Sequence, residues 1–210
     1  MNKQDLTPVL LPFGSTIYQS SNGQPITTDT SDFVQTILNN EKNDPKKILE
    51  LGTGNGIISL MLSHYKSNWE IAAFDILENL IDLANKNAVE ISQNINFFVD
   101  DIKNPQNIID ENYDLIIGNP PYFQLGKTRI SPIYERAVSR NEILCNMDDV
   151  LNLVKNKLAE NGKSYLIYPK SRLEEFQEKM QYYKFKILNL TILKNTKKSF
   201  FIAEFINAEI

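Results

Sequence analysis

The sequence predicts an α/β fold of the doubly wound kind, a mainly parallel sheet with helices on both faces. Three observations predict it. First, the short runs KKILELG (46–52), EIAAFD (70–75), INFFVDD (95–101) and YDLIIGN (113–119) are apolar almost throughout, as strands buried on both faces must be. Second, GIISLMLSHYK (56–66) and ILENLIDLANKNAVEI (76–91) carry apolar residues at helical spacing, Leu77, Leu80, Ile81, Ala84 and Ala88 sharing one face of the second. Third, these two kinds of segment alternate, which is the order of a parallel sheet with crossover helices.

Taken in order, residues 1–25 are polar and rich in Gly, Pro and Ser, and read as an irregular lead-in. A helix follows over Thr30–Asn40, with Phe33, Ile37 and Leu38 on one face and Asp29 as a candidate cap. After the four strands comes a polar stretch, 123–145, with no predicted element. Asn146 can cap a helix running to about Glu160, with Asp148 and Asp149 in its first turn and Gly162 as its C-terminal glycine. GKSYLIYP is a fifth strand, and Ser171 with Glu174 forms a capping box that opens the helix SRLEEFQEKMQYY. KFKILNLTILK and SFFIAEFINAEI are two last apolar runs, and the short NTKK between them favours an antiparallel pair. The organisation expected is a lead-in and helix (1–45) on the substrate side, followed by a catalytic domain (46–210).

The chain has 210 residues, enough for one sizeable core. Cys145 is the single cysteine, which excludes an internal disulfide and a multi-cysteine metal site. No run approaches the roughly 18 apolar residues of a membrane span, and the N-terminus lacks a signal-peptide core. A cytoplasmic monomer without metal is the expectation. The net charge of −4 argues against indiscriminate nucleic-acid binding, yet residues 163–198 hold nine basic side chains and three acidic ones. Such asymmetry marks either a lysine-rich solvated face or a localised anionic partner.

The loop Gly52-Thr53-Gly54-Asn55-Gly56 follows the first strand and opens a helix. Glycines there let the chain turn tightly and let a ligand approach the backbone. The spacing departs from the dinucleotide fingerprint, since the third glycine comes one residue early, and Glu50 stands two residues before the first. A carboxylate repels a pyrophosphate but attracts an ammonium group, so S-adenosylmethionine suits the loop better than NAD. Asp75, 23 residues after Gly52, is placed to accept from ribose hydroxyls. Asp101, at the end of the third strand, can accept from an adenine amine while Ile76 and Ile102 pack on the ring faces.

The fourth strand ends in Asn119-Pro120-Pro121-Tyr122. Prolines cannot continue a central strand, so this is a rigid turn at the carboxyl edge of the sheet, where open α/β folds bind ligands. An amine attached to an aromatic ring is a poor nucleophile, its lone pair being delocalised. Acceptors on its two N–H groups, Asn119 Oδ1 and the Pro120 carbonyl, pull it towards tetrahedral geometry and localise that pair. Pro121 stiffens the turn, and Tyr122 can stack on a base.

The pattern ELGTGNG, FD, DD, NPPY over residues 48–122 resembles the class I S-adenosylmethionine-dependent amine methyltransferases. The resemblance implies a Rossmann-like seven-stranded sheet, mostly parallel with one antiparallel strand. Flanking segments, PITTDTSDFVQTIL, AVSRNEI and YPKSRLEEF, are similar to those of the bacterial tRNA(Val) adenine-N6 methyltransferases, with Asn141 where that family tends to have histidine. Such an enzyme modifies the adenosine 3′ of the anticodon. An anticodon-loop substrate implies a basic wall, for which Lys170, Arg172 and Arg140 are candidates, with Lys194, Lys197 and Lys198 further out; Arg140 can instead pair with Glu142.

The same tetrapeptide serves glutamine methylation of release factors, a family with a helical domain in front; about 45 residues precede the first strand here. Ribosomal RNA and DNA amine methyltransferases, and a non-catalytic S-adenosylmethionine-binding module, are also compatible with these motifs. His64, Trp69, Phe200, Phe201 and Phe205 read as packing residues, and Cys145 as a small semi-buried one.

Overall fold

The computed structural model describes residues 6–23, 25–44, 46–108, 112–127, 129–193 and 199–208. Its N-terminal part is not irregular. Strands β1 (Leu6–Leu10) and β2 (Thr16–Ser20) form an antiparallel hairpin, with Leu6 opposite Ser20 and Leu10 opposite Thr16. The turn closes through Leu11 N–H on the Ser15 carbonyl at 2.8 Å and uses Gly14 at φ +88°, a conformation glycine adopts without strain. Ile17 is fully buried and Leu10 largely exposed, so the pair docks by one face only.

Helix α1 (Thr28–Asn40) leads to the main sheet. The parallel strands are β3 (Lys47–Leu51), β4 (Glu70–Asp75), β5 (Asn96–Val99), β6 (Tyr113–Gly118) and β7 (Leu158–Pro169), with β8 (Phe185–Leu193) and β9 (Phe200–Asn207) completing it. The order is β5-β4-β3-β6-β7-β9-β8, seven strands, and β9 alone runs antiparallel to its neighbours. The fold is therefore the expected doubly wound, Rossmann-like sheet. Helices α2 (Ile57–Tyr65), α3 (Glu78–Glu90), α5 (Met147–Lys157) and α6 (Leu173–Tyr182) lie among these strands in sequence, together with a short helix, α4 (Tyr134–Arg140), in the stretch read as featureless.

Alternate strand residues feed two cores, one on each face. Ile48, Leu115, Ile117 and Tyr165 join Phe33, Ile37, Leu60 and Ile81. Leu49, Ile116, Leu166 and Phe201 join Val150, Val154 and Phe176. His64 stacks on Phe13, Trp69 is buried, and Phe200, Phe201 and Phe205 belong to the core.

Two predicted caps differ. Asn146 and Asp149 do form a capping box at α5, but Lys170–Arg172 is a 3-10 turn and α6 begins without a side-chain cap. Gly162 lies inside β7, not at a helix end. A methyl group there would sit 2.7 Å from the Tyr113 carbonyl, so the glycine permits a close strand approach. Among the described residues, no helix is long and apolar enough to cross a membrane.

Candidate active site

Register brings the site together. Leu51 pairs with Phe74 and with Gly118, and Asp75 with Val99. Gly52, Asp75, Asp100 and Asn119 therefore emerge side by side at the carboxyl edge of β3, β4, β5 and β6. They line a cleft of about 1220 Å³, its mouth included, together with Thr53, Gly54, Asn55, Ile76, Asp101, Ile102, Pro121 and Tyr122. This is the crevice beside the point where the strand order reverses.

The loop is shaped by backbone conformation. Gly52, Gly54 and Gly56 all have positive φ. Gly56 is at the N-terminus of α2, where a methyl group would meet Phe97 Cζ at 2.9 Å and Ala84 Cβ at 3.1 Å. It is not part of the cleft surface; its role is to let the helix start close against α3.

Glu50 is likewise below the surface, with no exposure at all. Its Oε2 accepts from Thr53 Oγ1 at 2.8 Å, from the Ser59 amide at 3.2 Å and from the Ser59 hydroxyl. Its Oε1 is buried without a partner. Burial pushes the carboxyl up to about 7, against the donors from Ser59 and Thr53. Such an orphaned oxygen is rare in a folded protein and calls for a donor.

Asp75 accepts from Gly54 N–H at 2.9 Å and Leu77 N–H at 3.0 Å, tying the glycine loop to the start of α3. Burial raises its pKa in spite of these bonds. Asp100 is spent on structure: it accepts from the amides of Asp101, Gln106, Asn107 and Ile108 and closes the loop after β5. Among the described residues the Asp101 carboxylate accepts only from Lys103 N–H, at 2.8 Å, and it is flanked in the cleft by Ile102 and Ile76. Among the described residues the lining holds Asp29, Asp75, Asp100, Asp101 and Glu135 and no basic side chain, an electrostatic setting for a cationic ligand and against a pyrophosphate.

At the end of β6, Asn119 Oδ1 is buried and accepts no hydrogen bond from the described residues. Pro120 is buried behind it, and Pro121 and Tyr122 face the cleft. The Tyr122 ring packs edge-on against Phe123 at 4.8 Å and Phe200 at 5.4 Å. Burial, with the nearby charge of Asp29, pushes its hydroxyl up to about 12. The turn is fixed from α4, whose Arg140 carbonyl accepts both the Tyr122 and Phe123 amides at 3.1 and 2.9 Å.

The predicted basic wall is where sequence and structure part. Arg172 is buried, paired with Glu142 and Glu175, and donates to the Tyr122 carbonyl at 3.2 Å. It braces the Asn119–Tyr122 turn and is not available to a phosphate. Arg140 does not pair with Glu142; its guanidinium lies over the Phe123 ring, 5.1 Å from the centroid. Lys163 and Lys179 are also held in internal pairs, with Glu41 and Glu204 and with Asp148. Lys170 is exposed at the end of β7, and Lys194, Lys197 and Lys198 lie outside the described residues.

The sequence put residues 1–45 on the substrate side but did not single out the residues of the cleft's other wall. Gln19 and Ser20 of the hairpin, Ile26 and Thr27 before α1, and Glu135, Val138 and Ser139 of α4 all line it. Asp29 does too, and it makes no capping bond, Thr27 being the cap residue. Cys145 is buried at the cleft, and burial lifts its thiol to about 12; it stays protonated and is no nucleophile.

The orphaned Glu50 oxygen, the carboxylate lining and the glycine cradle all fit a cofactor with a cationic amino-acid end. Comparison with known proteins agrees. Curated relatives include a release factor glutamine methyltransferase from Lactococcus lactis, 32% identical over 66% of this chain and 53% of its own. Another is a tRNA1(Val) (adenine(37)-N6)-methyltransferase from Trichodesmium erythraeum, 30% identical over 65% of this chain and 58% of its own. The chain thus spans little more than half the length of these relatives. A methyltransferase from Pyrococcus furiosus shares the fold, with a TM-score of 0.70 at 18% identity over 92% of this chain and 90% of that one. The family model for the methyltransferase small domain matches residues 27–189. The chain belongs to the methyltransferase small domain family, and its cofactor is S-adenosylmethionine.

Proposed function

We propose that this chain methylates the exocyclic amine of an adenine in tRNA, at the adenosine 3′ of the anticodon of tRNA(Val). The observation that carries the reading is Asn119 Oδ1, a buried amide oxygen with no partner at the cleft end of β6. A target amine is the donor it lacks.

When bound, the cofactor supplies an electrophilic sulfonium methyl group. The residues assigned to hold it are Gly52, Thr53, Gly54 and Asn55 of the loop, Asp75, Asp101, Ile76 and Ile102, with Glu50 Oε1 beneath them as the acceptor nearest in kind to an ammonium group. Asn119 Oδ1 and the Pro120 carbonyl accept from the two amine N–H groups, Pro121 keeps that geometry, and Tyr122 offers its face to the base. No strong base is needed, because positioning the amine supplies most of the rate. A base in an RNA loop is already partly unstacked, so turning it into the cleft costs little. Lys170, exposed just after β7, is assigned a contact to the RNA backbone.

Release factor glutamine is the second reading, favoured by the Lactococcus lactis relative. A glutamine amide also has a planar nitrogen with two N–H groups, and the Asn119–Tyr122 turn would serve it in the same way. The test is incubation with labelled S-adenosylmethionine and separate pools of tRNA, ribosomal RNA, DNA and release factors, followed by nucleoside and peptide analysis. Methyladenosine beside the anticodon of one tRNA supports the proposal, and label on a release-factor glutamine alone replaces it. Label in no pool points to a binding module without catalysis.

A further inference from the structure

A second hollow lies on the other side of the catalytic turn. Phe123, Ser131, Arg136, Arg140 and Asn141 line it with Arg129 at its rim, and it encloses about 670 Å³ with its mouth. Among the described residues that line it there is no carboxylate. Three guanidinium groups around one concavity repel one another unless an anion sits between them.

Their hydrogen bonding shows which donors remain. Arg136 is half committed: Nε donates to the Gly23 carbonyl at 3.0 Å and Nη2 to the Ser21 carbonyl at 2.9 Å, which fixes it against the N-terminal segment. Among the described residues the buried Arg140 Nε has no acceptor, while its guanidinium lies over the Phe123 ring, 5.1 Å from the centroid. A buried, orphaned donor carrying a full charge is costly, and one at a ligand site is the common exception. Ser131 Oγ accepts from Ile133 N–H at 3.2 Å, leaving its hydroxyl proton to donate. Arg129 is exposed at the rim.

The position relative to the first cleft is fixed. Tyr122 and Phe123 are consecutive, their rings meet at 4.8 Å, and one faces each cavity. Both of their amides hang from the Arg140 carbonyl. A residue that holds the turn through its backbone thus aims its charge into the neighbouring hollow. Acid lines the cleft that takes the cofactor, and base lines the hollow next to it.

We infer that this hollow binds a phosphodiester of the strand that carries the target base, Arg140 and Arg129 holding its oxygens and Arg136 and Ser131 completing the cradle. Resting on the RNA reading above, the inference names what positions the nucleotide: the base enters over Tyr122, and its backbone is held across Phe123. Guanidinium is suited to this because its planar fork matches phosphate oxygens.

The experiment measures binding of tRNA, and of a short single-stranded RNA of the anticodon arm, across a salt series. The proteins are the wild type, Arg129→Ala, Arg140→Gln and Arg140→Lys. Each lost phosphate contact should lower the slope of log K against log salt by about 0.7. The loss should appear for Arg129→Ala and Arg140→Gln and be largely restored in Arg140→Lys. Affinity for S-adenosylmethionine, measured by calorimetry, should not change, which also shows that the variants fold. Unchanged slopes in variants of an enzyme that methylates tRNA would overturn this inference and leave the proposed function standing. A wild type that binds and methylates only a release factor would overturn both.

Discussion

Arg172 donates to the backbone carbonyl of Tyr122 at 3.2 Å while pairing with Glu142 and Glu175. The side chains of Arg172 and Glu142 are each 8% exposed, so the 3-10 turn after β7 holds the Asn119–Tyr122 turn through a desolvated ion pair. Removing one partner strands the other. Arg172→Ala should therefore cost about 3–5 kcal/mol of stability, read from a denaturant midpoint, and should lower turnover as Tyr122 loosens. The salt dependence of RNA binding should stay as it is. A variant that is fully stable, with a shallower salt slope, would return Arg172 to the phosphate-binding role its sequence position suggested.

Asn119→Ala removes the acceptor at the end of β6. Turnover should fall by about 10²- to 10³-fold, the scale for one positioned hydrogen-bonding group at a reacting centre, with cofactor affinity nearly intact. Tyr122→Phe should keep most of the activity, because the hydroxyl is not asked to titrate, and Tyr122→Ala should lose it with the stacking face. Single-turnover rates decide the matter; an unaffected rate in Asn119→Ala excludes the amine chemistry.

Glu50 makes the ligand-free protein pH-sensitive. Burial holds its carboxyl at about 7, against an ordinary value of 4.5, so the folded state binds a proton that the unfolded chain releases. Its stabilising contribution is fully present below about pH 4.5 and is lost as pH rises through 7. At about 1.4 kcal/mol per unit, the loss is a few kcal/mol. Melting curves of wild type and Glu50→Gln across this range should converge at the acid end and diverge towards neutrality, Gln being the more stable there. Parallel curves would mean that Glu50 is already ionised at pH 5.

Asp75 has two bonds to the backbone and still lines the cleft. Asp75→Ala should weaken S-adenosylmethionine by about 1.5–3 kcal/mol, the worth of charge-assisted bonds, with more lost if the Gly54 amide swings free. Calorimetry against Asp75→Asn separates the two causes, since Asn keeps an acceptor for Gly54. Wild-type affinity in Asp75→Ala would remove this residue from the cofactor site.

The sheet was legible because strands buried on both faces leave uninterrupted apolar runs, as in EIAAFD and YDLIIG. The carboxyl-edge residues followed, since strand ends and the ligand edge coincide. The hairpin was not legible. Its first strand contains Pro8 and buries little, with a pattern mostly open to solvent, so neither propensity nor alternation marks it. Helix α4 is seven residues long with two buried side chains, too short for a periodicity to show. Arg172 was misplaced for a different reason: a basic residue in a basic segment reads as surface, and although Glu175 lies three residues on, the partner that buries the charge, Glu142, is 30 residues away and visible only in three dimensions. Gly162 was misplaced because a helix end and a tight strand crossing ask for the same residue.

Asn87, fully buried on α3, treats the hairpin as though it were another strand. Its amide accepts from the Tyr18 N–H at 2.9 Å and donates to the Tyr18 carbonyl at 2.9 Å, while the same Nδ2 reaches the Asn55 carbonyl at 3.0 Å. One side-chain amide thereby latches the entrance wall to the cofactor loop. A ligand that orders one end should then favour the other by the same free energy, whichever of the two binds first. With Asn87→Ala, hydrogen exchange at Tyr18 should cease to slow when S-adenosylmethionine is added, and the two ligands should bind with independent affinities. Protection that persists without the latch would assign the coupling elsewhere.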